Sequence, residues 1–389
     1  MEKIREKNLV QSNPYDIIIK NIWGEYESMQ SLAKEKWETP QYSKSQINKA
    51  GKIIRDRHAS EEDSNNARGI VNNWRASHAY PLQIICSNLR AKNPNAIVVQ
   101  RLKRLKSITG KLERYPGMDL YRMQDIGGCR VIVDQIDQVF EAVDRYKNPR
   151  IRHKLRKENN YIAKPKTSGY RSYHMVYKYH SDKKETYNKN MLIEIQFRTK
   201  LQHMWATAVE MMGIYTNENL KSSQGNKNIL RFFVCVSSLF AIEEHTPVCP
   251  NTSENVDDLI QEIQNINQSE QILNKLLSIS VACDVTMKYF GRDHVKKNKI
   301  RYYILVLDYQ SITSHTTVYH FPNIELATKA YDNIEAQKQD NQDAVLVSAK
   351  TFSELKLAYP NYFSDIKQFT VTLRDIFIKH GYNFSIGRL

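Results

Sequence analysis

The first third of the chain is patterned at helical spacing. Ser43-Lys44-Ser45-Gln46 precedes Ile47, Ala50, Ile53 and Ile54, an N-cap followed by apolar positions three and four apart, which predicts a helix. Helices are also predicted over 65–73, 82–91 and 96–112. The period then shortens. Residues 127–133 (GGCRVIV), 172–179 (SYHMVYKY) and 191–197 (MLIEIQF) are short β-branched or alternating runs and predict strands. Between the first two, residues 135–146 carry Ile136, Val139, Phe140 and Val143 on one helical face. Residues 200–212 predict a helix after the third strand. Residues 145–157 read as a basic, apolar-poor connection and 181–190 as a polar turn.

A second pattern begins after PVCPNTSE (247–254), whose two prolines mark the best boundary. Residues 256–289 predict a helical hairpin or one long helix. Strands follow at 301–308 and 316–321, a helix at 325–337, a strand at 344–349 and one or two helices over 352–378. The division expected is an N-terminal extension (1–40), a main α/β domain (41–245), a helical connector (246–300) and a small α+β module (301–389), a candidate for a regulatory role. The fold class expected is α+β: a mixed β-sheet flanked by helices, plus that smaller module.

Charge sharpens the division. The whole chain of 389 residues has 57 Lys+Arg and 42 Asp+Glu. Residues 246–389 hold 15 basic and 16 acidic side chains, which leaves 42 against 26 in residues 1–245. The entire positive excess sits in the first part and favours a polyanion, either nucleotide phosphates or RNA. A solvated basic surface is the plainer alternative. No run reaches the length of a membrane span, the N-terminus lacks an apolar signal region, and the five cysteines have no CxxC spacing. A cytoplasmic protein without disulfides or zinc is therefore expected, with no membrane partner; self-association is left open.

Three clusters carry candidate chemistry. In RLKRLKSITGK (101–111), Lys103, Ser107 and Lys111 recur every four residues and would share one face of the predicted helix, with Arg101 a turn below Arg104. Stacked like charges suit an anionic ligand, or simply a solvated face. In MQDIGGCR (123–130), Asp125 stands at a strand entrance beside two glycines, as a Mg²⁺ ligand or as turn chemistry. In the third, KPKTSGYRSYH (164–174) is joined by EIQFRT (194–199). Strand alternation puts Glu194 and Gln196 on one face and Ile193, Ile195 and Phe197 on the other. Tyr170 next to a glycine could stack on a base or be a turn aromatic. His203 and Glu210, seven apart, are read as supporting residues, and Trp74 as a packing anchor.

Taken in order, RLKRLKSITGK, RMQDIGGCRVIV, KPKTSGYRSYH and EIQFRT, with LQHMWATAVE after them, resemble the synthetase domain of the RelA/SpoT family of alarmone synthetases. The motifs span about residues 98–212. The resemblance implies a nucleotidyltransferase-like sheet and transfer of the β,γ-pyrophosphate of ATP to the 3′-hydroxyl of GTP or GDP, with release of AMP. It implies that Arg101, Lys103 and Lys111, with Ser107 nearby, grip the ATP phosphates. Asp125 and Glu194 would hold Mg²⁺, Glu194 also serving as base, and Arg130 would face the donor. Tyr170 would stack on guanine, with Lys164, Lys166, Ser168, His174 and Gln196 around the acceptor. SGY replaces the family's common NGY, which bears on acceptor identity. No HD-type hydrolase motif precedes the domain. Some small members of the family are toxins that pyrophosphorylate the 3′ end of tRNA, and some make adenosine alarmones, so these acceptors stand as alternatives, with the C-terminal module as regulator or antitoxin; an inactive nucleotide- or RNA-binding module is a further alternative.

Overall fold

The computed structural model describes residues 37–216, 218, 220, 223–281, 283–289, 301–309, 314–321, 323–337, 339, 342–349 and 366–384. All but the last four residues of the expected N-terminal extension, and the first part of the helical stretch expected over 352–378, lie outside them. The strands are β1 (Ile97–Leu102), β2 (Gly127–Val133), β3 (Lys154–Asn160), β4 (Tyr173–Lys178), β5 (Leu192–Thr199), β6 (Cys283–Tyr289), β7 (Arg301–Tyr309), β8 (Ser314–Phe321) and β9 (Gln342–Ala349). They form one sheet in the order β3-β4-β5-β2-β1-β9-β7-β8-β6. Two pairings are parallel, β2 with β5 and β6 with β8; the others are antiparallel.

The helices are α1 (Lys44–Ile53), α2 (Glu61–Ser77), α3 (Ala79–Lys92), α4 (Leu105–Arg114), α5 (Ile136–Tyr146), α6 (Lys200–Tyr215), α7 (Lys227–Glu243), α8 (Val256–Glu270), α9 (Ile272–Val281), α10 (Ile324–Gln337) and α11 (Lys367–Lys379). The cap expected for α1 is present and reciprocal: Ser43 Oγ accepts from the Gln46 amide, and Gln46 Oε1 accepts from the Ser43 amide. On α5 the positions Val139, Ala142, Val143 and Tyr146 are buried, one stripe at helical spacing. That stripe shares a core with Leu82, Ile85, Cys86 and Leu89 of α3 and with Val131, Ile195 and Phe197 of the sheet. Residues Ala327, Ala330, Tyr331 and Ile334 of α10 belong to the same core and meet Ile304 and Leu346. A second core joins α6, α7, α8, α9 and α11 through Trp205, Phe233, Leu259, Leu276 and Phe369.

Four expectations need correction. Residues 96–112 are not one helix: Ile97–Leu102 is a strand, and α4 begins only at Leu105. The strand that opens with the β-branched run Ile97-Val98-Val99 pairs with β2 over six register positions, and that pairing outweighs the helical spacing of the cations. The basic connection 145–157 ends in β3, a sheet-edge strand that pairs with β4 and has too few buried side chains to show an alternating pattern. The connector 246–300 is not wholly helical, because β6 follows α9. The C-terminal strands do not stand apart either: β9 runs along β1, with Gln100 opposite Ser348 and Arg101 opposite Val347. The 247–254 boundary is a loop between α7 and α8, tied back by Arg171 donating to the Pro247 carbonyl at 2.5 Å.

No helix among the described residues is long and apolar enough to cross a membrane. Cys86, Cys129, Cys235 and Cys249 are buried and unbridged.

Candidate active site

The polar face of the sheet is built by register. Arg130 lies opposite Gln196, Gln196 opposite His174, and Gly128 opposite Glu194, so these positions share one face with Arg101, which pairs with Gly128. The alternation expected for β5 is observed. Ile193, Ile195 and Phe197 are fully buried on the far side, while Glu194 and Gln196 turn to the polar one. The glycines of GGCR serve different ends. A Cβ on Gly127 would come within 2.7 Å of Ile193 Cδ1, so that position is close packing rather than ligand approach.

Glu194 is held from two sides. His174 Nδ1 is 3.2 Å from Oε1, and Gln196 Nε2 donates to Oε2 at 2.7 Å. Tyr170 OH is 2.7 Å from His174 Nε2, and Arg198 Nη2 donates to the same hydroxyl at 2.5 Å and to Gln196 Oε1 at 2.8 Å. The result is a chain Arg198–Tyr170–His174–Glu194 across β4 and β5. Burial opposes ionisation of Glu194, yet the hydrogen bond and charge of His174 outweigh it and hold the carboxyl below the usual glutamate range; the negative charge of Asp125 acts the other way. Burial likewise resists ionisation of Tyr170, but Arg198 and His174 bring the phenol down to about 8.

Asp125 is clamped by two ammonium groups. Lys111 Nζ lies 2.9 Å from Oδ1 and Lys103 Nζ 2.9 Å from Oδ2. Burial disfavours the carboxylate, but the two lysines overcome it and lower Asp125 to about 2. Lys103 sits in the link between β1 and α4, its amide donating to the Ile126 carbonyl at 2.7 Å, and Lys111 sits on α4. The shared helical face expected for Lys103, Ser107 and Lys111 is thus a strand exit plus a helix, and the two lysines converge through Asp125. Ser107 is half-buried one turn before Lys111.

A cavity of about 260 Å³ opens between the polar sheet face and helices α6 and α7. Of the expected residues, Arg101, Arg130, Lys166, Ser168, Tyr170, His174 and Gln196 line it, and so do the supporting His203 and Glu210. Asp125, Glu194, Lys103, Ser107 and Lys111 are outside its wall, and Lys164 is exposed on the turn after β3. The 166–169 turn closes by a Gly169 amide to Lys166 carbonyl bond of 2.9 Å, with Gly169 at φ +85°. Only glycine fits there: a Cβ would lie 2.7 Å from Trp205 Cζ2.

Two residues were missed from the sequence. Arg198 lines the cavity and carries the β5 alternation two positions past Gln196, a signal that could have found it. Tyr161 has its ring 4.4 Å from Lys166 Nζ and 5.3 Å from the His174 ring, but it lies in a loop with no local pattern.

Asp125 and Glu194 are the carboxylates whose oxygens could serve a hard divalent cation, with phosphates and water completing its shell. Among the described residues no group of three or more His, Cys, Asp or Glu gathers as a closed metal cage.

Residues 100–219 match the family described as the region found in RelA / SpoT proteins. The GTP pyrophosphokinase YjbM of Bacillus subtilis (strain 168) is 35% identical over 117 residues, 30% of this chain and 54% of that one. The chain thus spans about half the length of the curated relative it matches. Similar solved structures include small alarmone synthetase 1 from Bacillus subtilis bound to its product pppGpp, at 22% identity and TM-score 0.38, covering 54% of this chain and 99% of that one. A GTP pyrophosphokinase family protein from Streptococcus pneumoniae is 28% identical with TM-score 0.35, covering 55% and 98%. The matched residues 100–219 take in every candidate site residue from Arg101 to Gln196.

Proposed function

We propose that the chain is a pyrophosphotransferase that moves the β,γ-pyrophosphate of ATP to the 3′-hydroxyl of GDP or GTP and releases AMP. The observation that carries this reading is the Glu194 carboxylate, hydrogen-bonded to His174 beside a cation-lined cavity and under the field of Asp125. Glu194 takes the proton of the 3′-hydroxyl, whose oxygen then bonds to the β-phosphorus. The bond from that phosphorus to the α–β bridging oxygen breaks, and AMP leaves with the oxygen. His174 orients the base. Arg101 and Arg130 on the polar face neutralise phosphate charge, and Lys166 with Ser168 and Tyr170 receives the acceptor.

Lys103 and Lys111 are parked on Asp125 until the nucleotide arrives, when the triphosphate offers both ammoniums new anionic partners. Mg²⁺ held by Asp125 and Glu194 would add charge neutralisation on the transferred phosphates. Incubation with ATP labelled on its γ-phosphate and either GDP or GTP tests the reading. Label on a guanosine product with AMP release supports it, and absence of product with both overturns it.

A second acceptor, the 3′ end of tRNA, is favoured by one feature. Arg150, Arg152, Lys154, Arg156 and Lys157 are all exposed at or just before the edge strand β3, within the strongly basic residues 1–245. Label carried on tRNA, with transfer falling steeply from low to moderate salt, would select this reading. Label on an adenosine nucleotide would instead reassign the acceptor base.

A further inference from the structure

Arg75 is a charged side chain with only 1% exposure, and it joins three parts of the chain that are far apart in sequence. It projects from α2. Its Nε donates to the Lys103 carbonyl at 2.8 Å, and its Nη1 meets Asp332 Oδ1 of α10 at 3.0 Å. The guanidinium carbon lies 4.4 Å from the centre of the Tyr331 ring, itself fully buried on α10. A buried guanidinium persists only where its partners are fixed, so α10 determines where Arg75 sits. Arg75 in turn determines where the Lys103 carbonyl sits. Next to this bridge, β9 pairs with β1 at Gln100 and Arg101. These two contacts therefore end on residues 100–103, the stretch that aims Arg101 at the cavity and Lys103 at Asp125.

We propose that Arg75, held by Asp332 and Tyr331, is a positioning residue through which the C-terminal half of the sheet sets Arg101 at the end of β1 and the 103–104 loop after it for donor phosphates. Its mechanical part, that α10 fixes the loop, stands on geometry alone. Its chemical part, that the loop so fixed binds ATP, rests on the function proposed above. The bridge makes the C-terminal segment part of the donor subsite rather than an appendage, since loosening α10 releases Lys103.

The test uses the full chain and the variants Asp332→Asn, Asp332→Ala and Arg75→Lys, the last keeping the charge but not the fork that spans both partners. Hydrogen exchange is followed over 101–111, with α8 as the control, alongside KM for ATP and for the acceptor. Removing the carboxylate that holds a buried guanidinium should speed exchange at the Lys103 amide by roughly tenfold while α8 is unchanged. KM for ATP should rise about five- to tenfold with the acceptor KM unmoved, a split that general destabilisation does not produce. If Asp332→Ala does not fold, the isosteric Asp332→Asn carries the measurement. Exchange over 101–111 within twofold of the parent in every folded variant overturns the bridge. Faster exchange without a change in ATP KM overturns its role at the donor subsite. A parent that makes no labelled product, with variants whose loop still exchanges faster, sinks the proposed function and leaves the mechanical bridge standing.

Discussion

Replacing Asp125 by Asn removes one negative charge from between two ammonium groups while keeping the side chain's shape. The folded carboxyl titrates near 2 against an ordinary value of 3.8, and its depressed pKa means that stability is gained above the unfolded value. The gap corresponds to roughly 2 kcal/mol at neutral pH, about half of that near pH 3 and almost nothing near pH 2. The side chain is only 21% exposed, so solvent screening takes little of this away. Lys103, whose own pKa burial already lowers, would face a neutral amide in the variant, which adds to the cost. Urea denaturation of parent and Asp125→Asn at pH 7 and near pH 3 measures both the size and the trend. A difference below about 0.5 kcal/mol at pH 7, or one that does not narrow on acidification, refutes the clamp. Product formation, followed separately, should fall by at least about a hundredfold if Asp125 also holds the metal.

Glu194→Gln should cut product formation by about a hundredfold or more, the scale of a lost general base, while the melting temperature stays within a few degrees. Phenolate absorbance should show a tyrosine ionising near pH 8 in the parent, because Arg198 and His174 favour the anion over the effect of burial; Tyr170→Phe should lack that step, and its persistence would contradict the Arg198–Tyr170–His174 chain. Gly169→Ala should destabilise by about 1–3 kcal/mol through its positive φ and the contact with Trp205, and raise the acceptor KM by disturbing Ser168 and Tyr170. A thermal melt and steady-state kinetics would reveal both effects.

Local physics made much of this molecule legible in advance. Ser43 and Gln46 announce α1 because a capping box is written in four consecutive residues. The face shared by Glu194 and Gln196 follows from strand alternation, which needs only β5 itself. Residues 96–112 misled for a physical reason: positions four apart satisfy a helix, while the β-branched Ile97-Val98-Val99 is decided by its partner, β2, which local spacing does not encode. The Lys103–Asp125–Lys111 clamp was within reach only as separate clusters, since convergence of Lys103 and Asp125 depends on the antiparallel pairing of β1 and β2. Arg75 gave no signal at all. Its partner Asp332 is 257 residues away, and an ion pair at that separation leaves no periodic trace.

The seam between β1 and β9 bears on how the chain can be divided. Shortening it after residue 245 would strip β9 from β1, leaving the backbone groups of Gln100 and Arg101 as a raw strand edge able to recruit a foreign strand. It would also take away the β7, β8 and β9 side chains that cluster with Val99 and Ile132, and Phe369 from beside Phe233 and Phe240. A clumping, poorly soluble fragment is the expected product of such a cut, so activity lost on truncation would report damage to the sheet before it reported any regulatory role of the removed segment.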